Sequence, residues 1–385
     1  MVTESQPAIA LIPDDGSSTL FIKKSFLKTP NTIKANDIPS SWKDVIGTLE
    51  IGEGITIQNR VFSDYTNIHC VKFLGAIDCQ SNTFSGCSNL NRIDVTDINY
   101  WWSQDYPLSL SAFSIYVNNV ECTSLVTPSN ITKVPSGLFQ NCTSITNVIF
   151  TDNITSIESS AFSNCTNLTT INLPSTLKSI KNSAFANTSL SGQLVIPRGV
   201  TTIEQYAFDA CNKITSIVIP DTVTNLAGFS FRSCTGIEGV YIDSISSWIN
   251  MVSFTTANQS PFTTAAVKQL YVNGSPIVDI VIPDGTTTIK TATFCYIQGT
   301  TRTITIPASV TSIGAAAFRN CTLLTSVTCL AETPPTLLAK NNPGALGYTN
   351  SCPIYVPDDS VDAYNADTYW GSYSTRIKPL STKPS

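Results

Sequence analysis

The sequence predicts a β-rich α/β solenoid with one strand in each coil of about 23 residues. Three observations predict this fold: a phenylalanine returns at a constant interval, an isoleucine-rich phrase surrounds it, and a proline closes many copies. A period of this length is typical of a small unit that covers its apolar faces by stacking on copies of itself. The most regular phenylalanines are Phe139, Phe162, Phe185, Phe208 and Phe231.

The copy at residues 154–174 predicts the elements of one coil. Side chains alternate along a strand, so Ile171 and Leu173 lie on one side of an extended segment. Pro174 cannot donate to a strand ladder and ends that strand. Residues 154–157 form a second, shorter apolar step. Each coil therefore exposes an apolar edge above and below, which only a neighbouring coil can cover.

The segment around the repeat phenylalanine predicts a turn opposite the strand. Ala161 and Phe162 suit a single helical or 3₁₀ turn, and the amide of Asn164 can satisfy turn backbone groups. Many copies carry a cysteine three residues after the phenylalanine, which indicates a reduced, buried core position rather than a disulfide framework. These cysteines are Cys87, Cys142, Cys165, Cys211, Cys234 and Cys321.

Two interruptions of the repeat predict a second kind of module, at about residues 98–128 and 245–283. Asn118-Asn119 and Asn273-Gly274 favour type I′ β-hairpin turns. We interpret the modules as larger, decorated repeats, and the alternative is a protruding contact element. The ends differ from the repeat, so residues 1–45 are predicted to form an N-terminal cap or docking segment. Residues 46–330 then form the solenoid.

Residues 331–385 are predicted to form a C-terminal capping module with a mobile Ser/Lys/Pro tail. Asp358 or Asp359 is expected to cap a short helix through Val361 and Tyr364. The remaining aromatic side chains of this segment are expected to shield the last core layer. These are Tyr369, Trp370 and Tyr373.

The repeat phrase ITSIxxxAFxNCTxLTxIxIP resembles the BspA-like leucine-rich repeats of Bacteroidetes, some anaerobic protozoa and some phages of gut bacteria. The LYVNG…VIP insert and the PPT…IYVPxxSVDAY ending are similar to that family, so the resemblance covers about residues 46–380. It implies a right-handed coil with its strands on a concave face. It also implies recognition or adhesion at a surface through protein or glycan contacts, without catalytic residues.

Composition and charge exclude several functions. Charged residues make up 13% of the chain, the net charge is −5, and a basic stripe for phosphate is missing, so nucleic acid is not expected as a partner. No segment approaches the roughly 20 apolar residues of a membrane span. The first 18 residues do not resemble a secretory signal, because prolines and aspartates break the short apolar run. We therefore expect an extracellular or cell-surface location if an export signal was removed, and a virion otherwise.

Catalytic, cofactor and metal sites are not predicted. The single histidine, His69, precedes a strand and is expected to be half-buried and structural. No CxxC pair supports a zinc site, and no nucleophile or phosphate-binding motif is present. An enzyme would need an active site hidden in an insert, which a pocket near Trp248 with convergent carboxylates would reveal.

A partner is expected on the strand residues that point away from the core. Small polar groups form one column there, and partly apolar side chains form a second, which indicates either a contact surface or β-propensity alone. These predicted ligand-binding residues are Asn147, Ile149, Thr170, Asn172, Gln193, Val195, Ser216, Val218 and Tyr241. A second patch of aromatic side chains near the inserts could stack on sugars or could be buried. It consists of Trp101, Trp102, Tyr106 and Trp248.

Two functions are compatible with these sequence features. The first is a non-catalytic recognition or adhesion protein that binds a protein or glycan at a cell exterior. The alternative is a structural component of a phage virion, tail or capsid-decorating, that mediates host attachment. The partners would then include virion neighbours or further copies of the chain.

Overall fold

The computed structural model describes residues 9–14, 17–22, 31–76, 78–80, 82–102, 108, 110–251, 260, 269–295, 297, 299–338, 344–347, 349 and 351–384. The chain divides into two compact units, Met1–Leu190 and Ser191–Ser385. Each unit is a β-solenoid, because one principal strand from each coil pairs in parallel with those of the neighbouring coils. The predicted fold class is thereby confirmed.

The first unit contains a short helix and sixteen described strands. Helix α1 is Ile98–Trp102, and 3₁₀ turns occupy Ala35–Asp37 and Ser40–Trp42. The strands are β1 (Ile9–Asp14), β2 (Ser17–Ile22), β3 (Thr32–Ile33), β4 (Ile46–Ile51), β5 (Thr56–Ile57), β6 (Cys70–Phe73), β7 (Asp78–Cys79), β8 (Arg92–Val95), β9 (Ser114–Val117), β10 (Val120–Glu121), β11 (Ser124–Val126), β12 (Lys133–Val134), β13 (Asn147–Ile149), β14 (Ser156–Ile157), β15 (Thr170–Asn172) and β16 (Ser179–Ile180).

The principal strands of the first unit form two sheets, in the orders β1-β2-β4-β6-β8-β9-β10 and β11-β13-β15. The hairpins β1-β2 and β9-β10 are antiparallel, and the other principal pairs are parallel. The second apolar step of each coil forms a two-residue strand of its own, in the parallel ladders β3-β5-β7 and β12-β14-β16. Each coil therefore contributes one strand to each of two parallel ladders. The sequence predicted only the ladder of the principal strands.

The second unit repeats this plan. Helices α2 (Ile245–Met251) and α3 (Val361–Ala366) and three 3₁₀ turns (Asp358–Ser360, Trp370–Tyr373 and Leu380–Thr382) accompany the strands. The strands are β17 (Ser191–Val195), β18 (Thr202–Ile203), β19 (Lys213–Ile219), β20 (Asn225–Leu226), β21 (Gly239–Ile242), β22 (Gln269–Val272), β23 (Ser275–Pro276), β24 (Asp279–Val281), β25 (Thr288–Ile289), β26 (Thr303–Ile306), β27 (Ser312–Ile313), β28 (Ser326–Cys329), β29 (Thr336–Leu337), β30 (Ile354–Val356) and β31 (Ile377–Pro379).

The principal sheets of the second unit have the orders β17-β19-β21-β22-β23 and β24-β26-β28-β30-β31. The domain boundaries predicted at residues 45 and 330 stay predictions. Strand pairing crosses both positions, because β2 pairs with β4 and β28 pairs with β30.

The repeat phenylalanines form the core of each unit. In the first unit Phe162 stacks between Phe139 and Phe185, with ring centroids 5.4 and 5.5 Å apart and nearly parallel planes. In the second unit Phe208 stacks on Phe231 at 5.2 Å. All of these rings are fully buried. The prediction of a shared aromatic core is confirmed.

The turn around each phenylalanine is not helical, which corrects the prediction of a helical or 3₁₀ turn. The residues two before and two after the phenylalanine have left-handed backbone conformations, for example Ser160 at φ 56° and Asn164 at φ 61°. The phenylalanine N–H then points along the solenoid axis and bonds the next coil, as in Phe162 N–H to Ala184 O at 2.8 Å. The turns therefore add a third set of bonds between coils.

The cysteines three residues after the phenylalanine are buried and free, as the sequence predicted. Several of their thiols have a specific role, because they approach the phenylalanine carbonyl of the preceding coil. Cys165 Sγ lies 3.0 Å from Phe139 O, and Cys234 Sγ lies 3.0 Å from Phe208 O. A thiol is a weak donor that fits a small apolar position, so it gives a second donor to a buried carbonyl that already accepts a backbone N–H, as Phe139 O does from Cys142.

Both insert modules contain the predicted hairpins. Asn118 and Asn119 have φ of 50° and 65°, and Asn273 and Gly274 have φ of 49° and 77°, as type I′ turns require. The hairpins are β9-β10 and β22-β23.

The C-terminal segment contains the predicted helix α3 without the predicted cap. Asp358 lies in the preceding 3₁₀ turn, and its carboxylate accepts the backbone N–H of Ser381 at 2.9 Å instead. Trp370 is fully buried, and its indole N–H donates to Pro335 O at 2.7 Å. The mobility predicted for the tail stays a prediction; in this segment Lys383 Nζ donates to Thr328 Oγ1 at 3.0 Å.

Candidate functional site

The outward residues of β13 and β15 form two columns in the first unit. Asn147 is in register with Thr170, and Ile149 with Asn172. Thr170 and Asn172 are exposed, Ile149 is 43% exposed, and Asn147 is half-buried. The structure therefore brings these four predicted residues together on one strand face.

The polar column of this face is held by bonds between its own members. Thr170 Oγ1 donates to Asn147 Oδ1 at 2.9 Å, and Asn147 Nδ2 donates to Ser124 Oγ at 3.1 Å. Sequence reasoning missed Ser124 and its exposed neighbour Val126 on β11, because they lie in the interrupted copy. The phrase SLVTP, which repeats the strand-proline pattern, is the signal that could have found them.

The second unit presents its own two columns. Gln193 is in register with Ser216, and Val195, Val218 and Tyr241 follow one another across β17, β19 and β21. Gln193 and Val195 are exposed, and the other three are half-buried. Sequence reasoning missed Tyr271 on β22, which is in register with Tyr241 and stacks on it with ring centroids 4.3 Å apart.

The first sheet of the first unit carries a charged stripe that sequence reasoning also missed. Glu50, Lys72, Asp94 and Tyr116 are register neighbours across β4, β6, β8 and β9. Lys72 Nζ lies 2.9 Å from Glu50 Oε1, and this hydrogen bond raises the pKa of Lys72. Partners 22 residues apart in sequence meet because one coil separates them, and no local spacing reveals the pair.

Arg92 contacts the Asp94 and Tyr116 end of the charged stripe. Arg92 donates to Asp94 Oδ2 at 2.9 Å, and its guanidinium lies 3.9 Å from the centroid of the Tyr116 ring. Asp94 also accepts the backbone N–H of Asn119 in the hairpin turn, at 3.1 Å. Each carboxylate of the charged stripe is therefore paired with a cation, and the Arg92 guanidinium covers the Tyr116 ring.

The three described members of the second patch are buried, which is the second of the two alternatives that the sequence left open. Trp101 is 3% exposed and donates to Leu138 O, and Trp248 is 2% exposed and donates to Thr293 O. Trp102 packs edge-on against Phe139. Trp101 also packs against Phe73 and Phe113, so the indoles of the first insert belong to the aromatic core. Tyr106 lies outside the described residues.

A groove of about 440 Å³ lies beside α2, the helix that contains Trp248. Its lining includes one carboxylate, Asp284, and Lys290, whose Nζ donates to Asn250 O at 2.9 Å. Burial lowers the pKa of Lys290. The described lining therefore lacks the convergent carboxylates that the enzyme hypothesis required.

His69 is exposed, which corrects the prediction of a half-buried side chain. Its backbone joins the ladder, since its N–H donates to Gly47 O at 2.9 Å. Within the described ranges, no group of three His, Cys, Asp or Glu side chains could hold a metal ion. In the same part of the chain, none of the helices is long and apolar enough to cross a membrane.

The sequence matches the BspA type leucine rich repeat region in six copies, over residues 42–104, 111–238, 186–296 and 264–337. The chain belongs to this family. Proteins of the BspA-type leucine-rich repeat family are built from repeats of this kind, which agrees with the resemblance drawn from the repeat phrase.

Comparison with solved structures found leucine-rich repeat proteins. One from Bacteroides ovatus is 17% identical, with a TM-score of 0.51 over 86% of this chain and 95% of its own. A leucine-rich cell surface protein from Faecalibacterium prausnitzii is 15% identical over 99% and 98%, with a TM-score of 0.31. One from Eubacterium ventriosum is 17% identical over 88% and 97%, with a TM-score of 0.39. A comparison with curated protein sequences gave no match.

Proposed function

We propose that the protein is a non-catalytic recognition module that binds a protein or a glycan at a cell exterior. The observation that carries this proposal is the register of the outward strand residues. Side chains of similar polarity are register neighbours on consecutive strands, such as Asn147 with Thr170 and Val195 with Val218. Surfaces of this kind suit extended contact with a partner rather than chemistry on a small substrate.

Membership of the BspA-type family supports the same role, because repeat proteins use their stacked strands as binding surfaces. The outward columns are also partly apolar, and apolar patches on a surface mark interaction sites. Ile149 is 43% exposed and Val195 is 53% exposed. The location outside a cell or on a virion stays a prediction that this role requires.

Binding to printed glycans and to immobilised extracellular glycoproteins tests the proposal. The face variant Ile149→Lys/Val195→Lys places charge on the outward strands, and we expect it to weaken binding by about tenfold or more. The control variant Leu323→Lys/Leu338→Lys changes two similarly exposed residues outside the principal strands. We expect it to bind like the wild type. Equal binding by the face variant and the wild type, or no binding by the wild type to any probe, would contradict the proposal.

A further inference from the structure

An apolar and aromatic stripe crosses the first principal sheet of the second unit. Its members are direct register neighbours on β17, β19, β21, β22 and β23. Strands lie about 4.8 Å apart, so the stripe is about 19 Å long and one side chain wide. We call it the aromatic stripe, and it consists of Val195, Val218, Tyr241, Tyr271 and Pro276.

The centre of the aromatic stripe is the tyrosine pair. The rings of Tyr241 and Tyr271 are nearly parallel, 8° apart in plane, and their centroids are 4.3 Å apart. Gly239 makes this possible, because a Cβ there would lie 3.0 Å from the Tyr271 ring and 3.3 Å from the Tyr241 ring. The two rings are held in one position before any partner arrives, which lowers the entropy cost of binding.

The geometry of the pair decides between a sugar and a polypeptide. Rings that stack between neighbouring strands turn their faces along the stripe, so a partner above the sheet meets their edges. Val218 is the next neighbour of Tyr241, and Pro276 is the next neighbour of Tyr271, so each ring has a stripe residue on both sides. A sugar stacks its C–H face on an open aromatic face. The aromatic stripe offers ring edges instead, which suit protein contacts.

The equivalent positions of the first unit show that the hairpin module does not itself require this pair. There Arg92 stands at the position of Gly239, Asp94 at that of Tyr241, and Tyr116 at that of Tyr271. The guanidinium of Arg92 covers Tyr116 and pairs with Asp94. The same backbone therefore carries a charged stripe in one unit and an uncharged one in the other.

The second unit also shows an outward strand face in contact with a polypeptide segment. Thr328 is on the outward side of β28, and it is 3% exposed. Lys383, from the C-terminal segment of the same chain, donates to its hydroxyl at 3.0 Å. Leu380–Thr382 forms a 3₁₀ turn just before that lysine. The C-terminal segment therefore contacts one outward strand residue of this unit through a lysine side chain.

We propose that the aromatic stripe is the main contact site for an extended protein segment whose facing side chains are apolar and uncharged. This inference rests on the proposed function and narrows its partner from protein or glycan to protein. The stripe contains no carboxylate, lysine, arginine or histidine, so a charged side chain placed on it would lose water without gaining a partner. Tyrosines in a rigid, central position are the usual hot spots of such interfaces.

Selection from a displayed library of random peptides tests this proposal. Peptides of about twelve residues suffice, because about six extended residues span the stripe. We expect selected peptides to be apolar and to bind Tyr241→Ala/Tyr271→Ala about tenfold or more weakly than the wild type. Tyr241→Phe keeps the stacking and should bind within about threefold of the wild type. Tyr116→Ala, the matching change in the first unit, should leave binding unchanged.

A second variant separates loss of the site from loss of the fold. Gly239→Arg/Tyr241→Asp places the Arg92–Asp94 ion pair of the first unit at the equivalent positions of the second unit. We expect this variant to fold and to lose binding to the peptides. The proposal is overturned if these variants bind the peptides normally, or if neutral hexasaccharides bind the wild type and lose affinity in Tyr241→Ala/Tyr271→Ala. In the first case, binding that still depends on Ile149, which lies outside the aromatic stripe, would leave the proposed function intact. Binding insensitive to every strand-face change would overturn both.

Discussion

Asn164 donates from its side-chain nitrogen to the side-chain oxygen of Asn141 in the neighbouring coil, at 2.8 Å. Asn187 donates to Asn164 in the same way, so the first unit contains an asparagine ladder along its turns. All three have left-handed backbone conformations, with φ between 58° and 68°. Asparagine meets both demands at once, because it tolerates this conformation and its amide is both donor and acceptor.

Substitution of Asn164 separates the two roles. Asn164→Gly loses the amide but still adopts the left-handed conformation easily, whereas Asn164→Ala loses both properties. We therefore expect the free energy of unfolding of the alanine variant to be about 1 kcal/mol lower than that of the glycine variant. Urea unfolding measures the difference. The control is Asn172, in an extended strand, where alanine should be more stable than glycine. Equal stability of the two Asn164 variants would show that the left-handed conformation does not select the residue.

The aromatic core gives a second prediction. Phe162 is fully buried between two other phenylalanines, so Phe162→Ala should lower the free energy of unfolding by about 3–5 kcal/mol. Phe162→Leu keeps most of the volume and should cost clearly less. Ile149→Ala, on the exposed face, should change stability by no more than about 0.5 kcal/mol. A Phe162→Ala protein as stable as the Ile149→Ala protein would contradict the stacked core.

Alkaline pH should destabilise the protein through its buried thiols. Burial raises the pKa of Cys142 to about 11, above the value of about 8.5 for an unfolded cysteine. Between these values the unfolded thiol loses its proton and the native one keeps it. The thiol's contribution is therefore complete below about pH 8.5 and is lost as pH rises toward about 11.

The expected loss is about 1.4 kcal/mol per pH unit for such a thiol in that window. Urea unfolding from about pH 8 to about pH 11 measures it. Cys142→Ser retains a donor of similar size and does not titrate there, so its stability should fall less steeply. Identical slopes for the wild type and Cys142→Ser would mean that Cys142 does not titrate differently in the two states.

The sequence predicted the features that depend on one repeated position. The phenylalanine core, the buried cysteines and the type I′ turn at Asn273-Gly274 each follow from residue type and spacing alone. The left-handed turns were not predicted, because the residue type at this position varies widely between copies, from Gly137 and Ser160 to Tyr206 and Phe229. Bulky side chains rarely adopt such a conformation, and here the coils on either side enforce it.

The candidate site was predicted only in part, because alternation within one strand can be read from the sequence and contacts between coils cannot. Alternation along the strand correctly placed Ile149 and Val195 on the outside. The pairing of Glu50 with Lys72, the stacking of Tyr241 on Tyr271 and the burial of the insert tryptophans depend on which coil lies next to which. The cap predicted at Asp358 failed because a segment 23 residues later supplies a competing N–H.

Hydroxyl-radical footprinting of the protein, with and without a selected peptide, tests most directly whether recognition uses the outward strands. The second unit contains a matched pair of reporters. Tyr241 and Tyr271 lie on the strand face, and Tyr206 and Phe229 form a half-buried stack at 5.4 Å on the turns. We expect the peptide to protect Tyr241 and Tyr271 from oxidation and to leave Tyr206 and Phe229 unchanged. Protection of the turn pair, with none on the strand pair, would contradict the account.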